Sequence, residues 1–255
     1  MMTNLSSNLL ILKGINTLNT LIDIKKELIT KVYLVENSKN HRIKNIKKKL
    51  IEHDINFEEL DRQSLNLKSS YEKNQGVLTF IKKQSFLGFK EFKYFLERDS
   101  DNNLILILDS ITDPRNMGSC LRSAHASGVD AVLINQNGSA KINEHVYEAS
   151  VGSIFNLKIF IVPNLTNCIN LLKNNNFWIT GLDLDSSQSL YEIDFNDKVA
   201  LVLGSEHDGI SKIVYSSCDY IAQIPMKTKI DSLNVSVAAG IALFEINRQR
   251  NKLTN

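Results

Sequence analysis

The sequence predicts an α/β protein of two parts, a small α/β module followed by a larger parallel-sheet domain. From Leu104 onward six apolar runs of four to six residues recur: LILIL, AVLI, KIFIV, FWITGL, VALVL and YIAQI. Near-continuous apolar runs are what parallel strands covered on both faces require. Before Lys83, β-rich runs alternate with helical ones over a shorter span. Between the two lies QSFLGFKEFKYFLERDSDN (84–102), Phe-rich, charge-interleaved and ending in polar turn residues. With 255 residues there is length enough to bury a proper core in each part.

The elements follow in order. TLNTLIDIKKEL (17–28) and HRIKNIKKKLIEH (41–53) carry apolar residues at helical intervals, whereas KVYLVE (31–36) and GVLTFIK (76–82) are β-rich. Residues 1–83 form the first domain, 84–102 a linker with a short docking helix, and 103–255 the second domain. There, strands at 104–108, 131–134, 158–162, 177–182, 199–203 and 220–224 alternate with helices at 116–127, 145–152 and 165–175. A last helix, 232–248, begins at Ser232 behind Asp231, either of which could cap it. Its apolar face is Leu233, Val237, Ile241 and Phe244.

Charge and cysteine usage narrow the class. The net charge of +2 means that a nucleic-acid partner would be met by a local patch. One candidate is KNHRIKNIKKK (39–49), with Lys39, Arg42, Lys44, Lys47, Lys48 and Lys49. It reads as a solvated helix face more readily than as a phosphate-contacting surface. Cys120, Cys168 and Cys218 are far apart and odd in number, which fits a reducing compartment better than a disulfide framework. The five histidines show no paired-ligand spacing, so no metal is expected. With no signal-like start and no run of membrane-spanning length, a soluble, cytoplasmic protein is expected.

Three polar clusters follow strand-like runs. In LDSITDPRNMGSCLRSA (108–124), Asp113-Pro114 ends a strand, Asn116 stands where a helix should begin, and Arg122 comes six positions later. Six residues turn a helix through about 600°, so these two side chains share a cavity only if Asn116 lies outside the helix as its cap. In LVLGSEHDGIS (201–211), Gly204 and Gly209 bracket polar residues and permit close backbone approach to a ligand. The same spacing would suit a P-loop, but Ile210 stands where the phosphate-binding lysine belongs. In IPMKTKIDSLNVSVAAGIALFE (224–245), Ser232 and Asn234 sit at the mouth of the last helix. Helix capping alone would explain them.

Taken together, DPRNMGSCLRSA, LVLGSEHDGIS and IPM…SLNVSVAAGIALFE resemble, in order, the three motifs of the SpoU (TrmH-type) branch of the SPOUT methyltransferases. KGINTLNTLI and NQGVLTFIK are similar to the N-terminal domain of the bacterial members that methylate a guanosine ribose in large-subunit rRNA. The resemblance implies a ribosomal-protein-like RNA-binding domain and a parallel-sheet domain with a C-terminal trefoil knot, working as a homodimer. It implies S-adenosylmethionine as cofactor and 23S rRNA, free or in an assembling large subunit, as partner. It assigns Asn116, Arg122, Glu206, Ser232 and Asn234 to the active site, with Gly204, Ile224 and Leu233 against the cofactor. No GxGxG loop appears, which fits a knot rather than a Rossmann-type methyltransferase.

The chain departs from that pattern at Asn16 and Asn74, where histidines are common, and at His207-Asp208, which replace Gly-Glu. Thr228 stands for a frequent glycine, and Phe155 and Lys158 replace a Glu and a Pro. None of these removes an assigned side chain. The alternatives are 2′-O-methylation of tRNA or another rRNA site, and a non-catalytic RNA-binding assembly factor on the same scaffold.

Overall fold

The computed structural model describes residues 9–69, 74–98, 104–228 and 232–251. The chain forms two compact units, one of residues up to Ser85 with Ile142–Asn156, the other of Phe86–Lys141 and Leu157–Asn255.

The first unit begins β1 (Leu9–Lys13), α1 (Ile15–Ile24), β2 (Ile29–Val35), α2 (His41–Glu52), β3 (Phe57–Leu60), α3 (Arg62–Ser69) and β4 (Val77–Lys82). Its sheet runs β1-β4-β2-β3, antiparallel except for the β2/β3 pair. Ile43, Ile46 and Leu50 fall on one stripe of α2 and pack with Leu18 and Ile22 of α1 over Val32, Leu34 and Val77. The helix expected at 17–28 stops at Ile24, and Lys26–Leu28 form a separate 3₁₀ turn. Three elements of this unit are not predicted by the sequence pattern: β1, β3 and α3. β3 is a four-residue strand, FEEL, with both glutamates exposed, too short for alternation to register. α3 buries only Leu65 among its described side chains.

The rest of the chain runs α4 (Phe89–Arg98), β5 (Leu104–Leu108), α5 (Pro114–Ala126), β6 (Ala131–Asn135), α6 (Glu144–Ser150), β7 (Ile159–Val162), α7 (Leu165–Asn174), β8 (Trp178–Leu182), β9 (Val199–Leu203), α8 (Lys212–Tyr215), β10 (Tyr220–Ala222) and α9 (Val235–Asn251). All but α6 lie in the second unit. Its six strands are ordered β10-β8-β9-β5-β6-β7, and every pair is parallel. All five side chains of β5 and of β9 are buried, which explains their unbroken apolar runs. One face of the sheet packs Ile105, Ile107, Leu133, Ala200 and Val202 with side chains of α4, α7 and α8. α4, the helix within the expected linker, packs Phe92 edge-on and Phe95 tilted against Phe160 of β7, with ring centroids 5.2 and 5.4 Å away.

The last helix starts at Val235, three residues later than expected. Asn234 caps it, its Oδ1 accepting from the Ser236 amide (2.9 Å) and hydroxyl (2.6 Å). Asp231 lies outside the described residues. The face expected to be buried is also corrected: Val237 is 49% and Phe244 53% exposed, while Val235, Ala239, Ala242, Leu243 and Ile246 are buried. From Val235 to Phe244 the only polar side chain of α9 is Ser236, so periodicity there does not choose the inner face. α5 packs on this helix, and a β-carbon on Gly240 would meet Ser123 Oγ at 3.7 Å, an ordinary van der Waals distance. Among the described residues no helix is long and apolar enough to cross a membrane.

Candidate active site

In a parallel sheet all carboxyl ends open on one edge, and ligands gather there. Loops leaving β8, β9 and β10 and the approach to α9 enclose a cavity of about 820 Å³ at that edge. Gly204, Ile224 and Leu233, the expected cofactor contacts, all line it, as do Glu206 and Ser232.

The loop after β9 is tightly folded. Ser205 and Gly209 exchange backbone hydrogen bonds of 2.9 and 3.1 Å, and the Asp208 amide donates to Ser205 Oγ (3.0 Å). Gly209 holds a φ of +65°, and a β-carbon on Gly204 would lie 2.0 Å from the Gly209 carbonyl carbon. The glycines therefore close a hairpin-like turn rather than cradle a phosphate. Asp109, buried at the end of β5, braces the far side by accepting from the Ser211 amide (2.8 Å).

Three of the expected catalytic residues are joined. Asn116 Nδ2 donates to Glu206 Oε1 (2.7 Å), and Asn234 Nδ2 donates to Asn116 Oδ1 (3.0 Å). Glu206 Oε2 is buried with no hydrogen-bond partner among the described residues. Ser232 lines the same cavity but is exposed and outside this chain of bonds.

Arg122 is not brought in. α5 begins at Pro114, capped by Asp113, whose Oδ1 accepts from the Arg115 amide (2.8 Å). Asn116 is thus inside the first turn rather than the cap, and a residue six positions later points elsewhere. Arg122 is exposed, makes no bond to a described side chain, and does not line the cavity.

The cavity wall also contains carboxylates that the motifs did not indicate. Asp183 and Asp185, just past β8, join Glu206 and Asp208, and among the described residues no lysine or arginine lines it. The sequence signal was GLDLDSS at the end of an apolar strand. The basic run of α2 is largely spent on ion pairs: Lys47 with Glu59 (2.6 Å), Lys49 with Asp23 (2.7 Å) and Lys48 with Glu52 (3.8 Å). Arg42 bonds Asn16, so the solvated-face reading suits it better than a bare phosphate surface. Burial pushes the thiols of Cys120, Cys168 and Cys218 up to about 12, leaving them protonated and inert.

Comparison with known proteins decides the family. The SpoU rRNA Methylase family matches residues 103–244, and the "RNA 2'-O ribose methyltransferase substrate binding" family matches residues 11–87. The chain belongs to the SpoU rRNA methylase family. A 23S rRNA (guanosine-2'-O-)-methyltransferase RlmB of Blochmanniella floridana is 37% identical over 93% of this chain and 94% of its own length. The SpoU methyltransferase AviRb of Streptomyces viridochromogenes, solved with AdoMet, shares the fold at a TM-score of 0.77, with 19% identity over 98% of this chain and 95% of that one. The TrmH/SpoU tRNA modifying enzyme of A. aeolicus, 30% identical with a TM-score of 0.55, covers 65% of this chain and 83% of its own. Within this family the Asn116–Glu206–Asn234 chain joins all three sequence motifs, each contributing one residue.

Proposed function

We propose that this chain transfers a methyl group from S-adenosylmethionine to a guanosine ribose 2′-hydroxyl of 23S rRNA, as a cytoplasmic homodimer serving large-subunit maturation. The observation that carries the reading is the bonded Asn116–Glu206–Asn234 set beside an acidic cavity at the strand ends. Relatives alike over nearly the whole chain bear names of that reaction, whereas the tRNA-modifying relative spans 65% of it.

The cavity suits the cofactor. Its volume falls in the range of small-molecule sites, and its four carboxylates match a ligand bearing cationic groups. Gly204 leaves its backbone bare where a side chain would collide, and Glu206 Oε2 waits as an unpaired acceptor. Gly204, Ile224 and Leu233 would hold the cofactor, which when bound supplies a methyl group on an electron-poor sulfonium.

What the protein adds is alignment and care of a proton. With the methyl carbon and its leaving group supplied by the cofactor when bound, the protein would align the ribose oxygen and provide for removal of the hydroxyl proton. A guanidinium holds its own proton at neutral pH, so Arg122 acts by gripping the adjacent phosphate and stabilising the developing alkoxide. A phosphate oxygen or water accepts the proton. Asn116, Glu206 and Asn234 set the shape of the cavity mouth, and Ser232 contacts the ligand entering it.

The C-terminal segment is read as threaded through the loop 183–198. On one side of that loop, Gln223 accepts from the Leu190 amide and donates to Gln188, both at 2.8 Å. On the other, the Gln249 and Arg250 side chains of α9 hold Ile193 and Phe195. A loop gripped by the strand the chain has left and the helix it has yet to form supports a trefoil knot. For the homodimer, the exposed Val237 and Phe244 of α9 offer an apolar contact face.

The test is to map ribose methylation in rRNA and tRNA from cells with and without the gene, then add purified protein and labelled S-adenosylmethionine to the deficient RNA. Restored label at one guanosine of 23S rRNA is expected. Saturable cofactor binding without transfer to any rRNA would favour a non-catalytic assembly factor, and label in tRNA would change the substrate.

A further inference from the structure

Arg122 is not the only uncommitted cation on α5. Arg115 lies seven positions before it, and seven residues turn a helix through about 700°, within about 20° of two full turns. The two arginines therefore share one face of α5, separated by about 10 Å along its axis. Both are exposed, and neither side chain makes a bond to a described residue. The intervening Ser119 on that face is small and partly exposed, so nothing bulky separates them.

A third cation stands at the same end of the helix. The Ala140 amide donates to the Ile111 carbonyl (2.8 Å), which ties the loop after β6 to the approach to α5. The next residue, Lys141, is exposed and also lacks a described partner. The carboxylate of this corner, Asp113, has one oxygen committed to the first turn of α5. This differs from α2, where Lys47, Lys48 and Lys49 are matched by glutamate or aspartate. α5 also presents the positive end of a 13-residue helix here, beside Asn116 of the bonded set.

We propose that Arg115 and Lys141 extend Arg122 into a track for consecutive RNA phosphates, with Arg115 a substrate-positioning residue that sets the backbone on either side of the target ribose. The proposal rests on the reading of this site as one of methyl transfer to RNA. A planar guanidinium suits a phosphate held by two parallel hydrogen bonds, and a lysine suits a neighbouring phosphate held by charge alone.

Steady-state kinetics on 23S rRNA lacking the modification test this. Arg115→Ala should raise KM for RNA about tenfold and lower the slope of log KM against log salt by about 0.7, the share of one phosphate on a single strand. The KM for S-adenosylmethionine, the Tm and kcat at saturating RNA should stay at wild-type values. Arg115→Lys should restore most of the salt slope while recovering only part of the affinity. Lys141→Ala, on a separate loop, should show the same pattern more weakly. An unchanged RNA KM and salt slope in Arg115→Ala would overturn the proposal, as would a loss confined to cofactor KM or Tm. Failure of the unaltered protein to methylate rRNA would instead overturn the reading of the site, so the two failures are distinguishable.

Discussion

A β-carbon at position 204 would come within 2.2 Å of three backbone atoms of Gly209 and Ile210, none of which can rotate aside. Gly204→Ala must therefore push the two arms of the Ser205–Gly209 turn apart, at a cost of about 1–3 kcal/mol or more. Calorimetric titration should show S-adenosylmethionine binding weakened at least about tenfold, as expected when that cost falls on the cofactor wall. Wild-type affinity in that variant would remove Gly204 from the wall. Arg122 tests a different point. Arg122→Lys keeps the charge and loses the planar fork, and turnover should fall by roughly 10²-fold with cofactor affinity unchanged, the usual scale for loss of one alkoxide-stabilising donor. Near-normal turnover would deny it that role. At this scale the sequence was informative in uneven ways. The motifs mark Asn116, Glu206 and Asn234, which are bonded in series, but do not mark Asp109, Asp183 or Asp185. An aspartate after a strand is a common turn residue, and only the fold reveals that Asp183 and Asp185 face the cavity while Asp109 braces the loop after β9.

At the scale of elements, long periodic or fully apolar segments were legible and short polar ones were not. β5 and β9 are buried at every position, so composition alone exposes them. β3 and α3 escape because four residues with two exposed glutamates, or a helix with one buried leucine, carry almost no pattern. The position of α9 is legible in the sequence but its inner face is not. Its inner face is built from Val235, Ala239, Ala242, Leu243 and Ile246, leaving Val237 and Phe244 outside. Single exposed apolar residues need no explanation, but two aligned seven positions apart on one helix do. If they cover one another across a two-fold axis, Phe244→Glu buries a charge in each half of the contact. Light scattering after gel filtration should then find the variant monomeric where the wild type is dimeric, with circular dichroism unchanged. A dimeric Phe244→Glu protein would place the contact elsewhere.

For the whole molecule, the proposed homodimer gives the proposed arginine two sources, the chain's own Arg122 or that of a second copy. Asn116 and Glu206 are bonded within one chain, and residues of that same chain line the cavity beside them. Arg122 does not line that cavity and is exposed on the helix that packs against α9. If α9 forms the two-fold contact, α5 of one copy lies next to the site of the other, and Arg122 would serve the partner's cavity. Co-expression of Arg122→Ala with Glu206→Ala separates the cases. An arginine acting on its own chain's cavity leaves every site in the mixed dimer damaged, and activity stays at the level of either variant alone. An arginine acting across the contact leaves one site in each mixed dimer intact, because the Glu206 of one chain meets the Arg122 of the other. With equal expression and random pairing, roughly a quarter of wild-type turnover should return. Differential affinity tags on the two chains would isolate the mixed dimer, whose turnover should then approach about half that of the wild type.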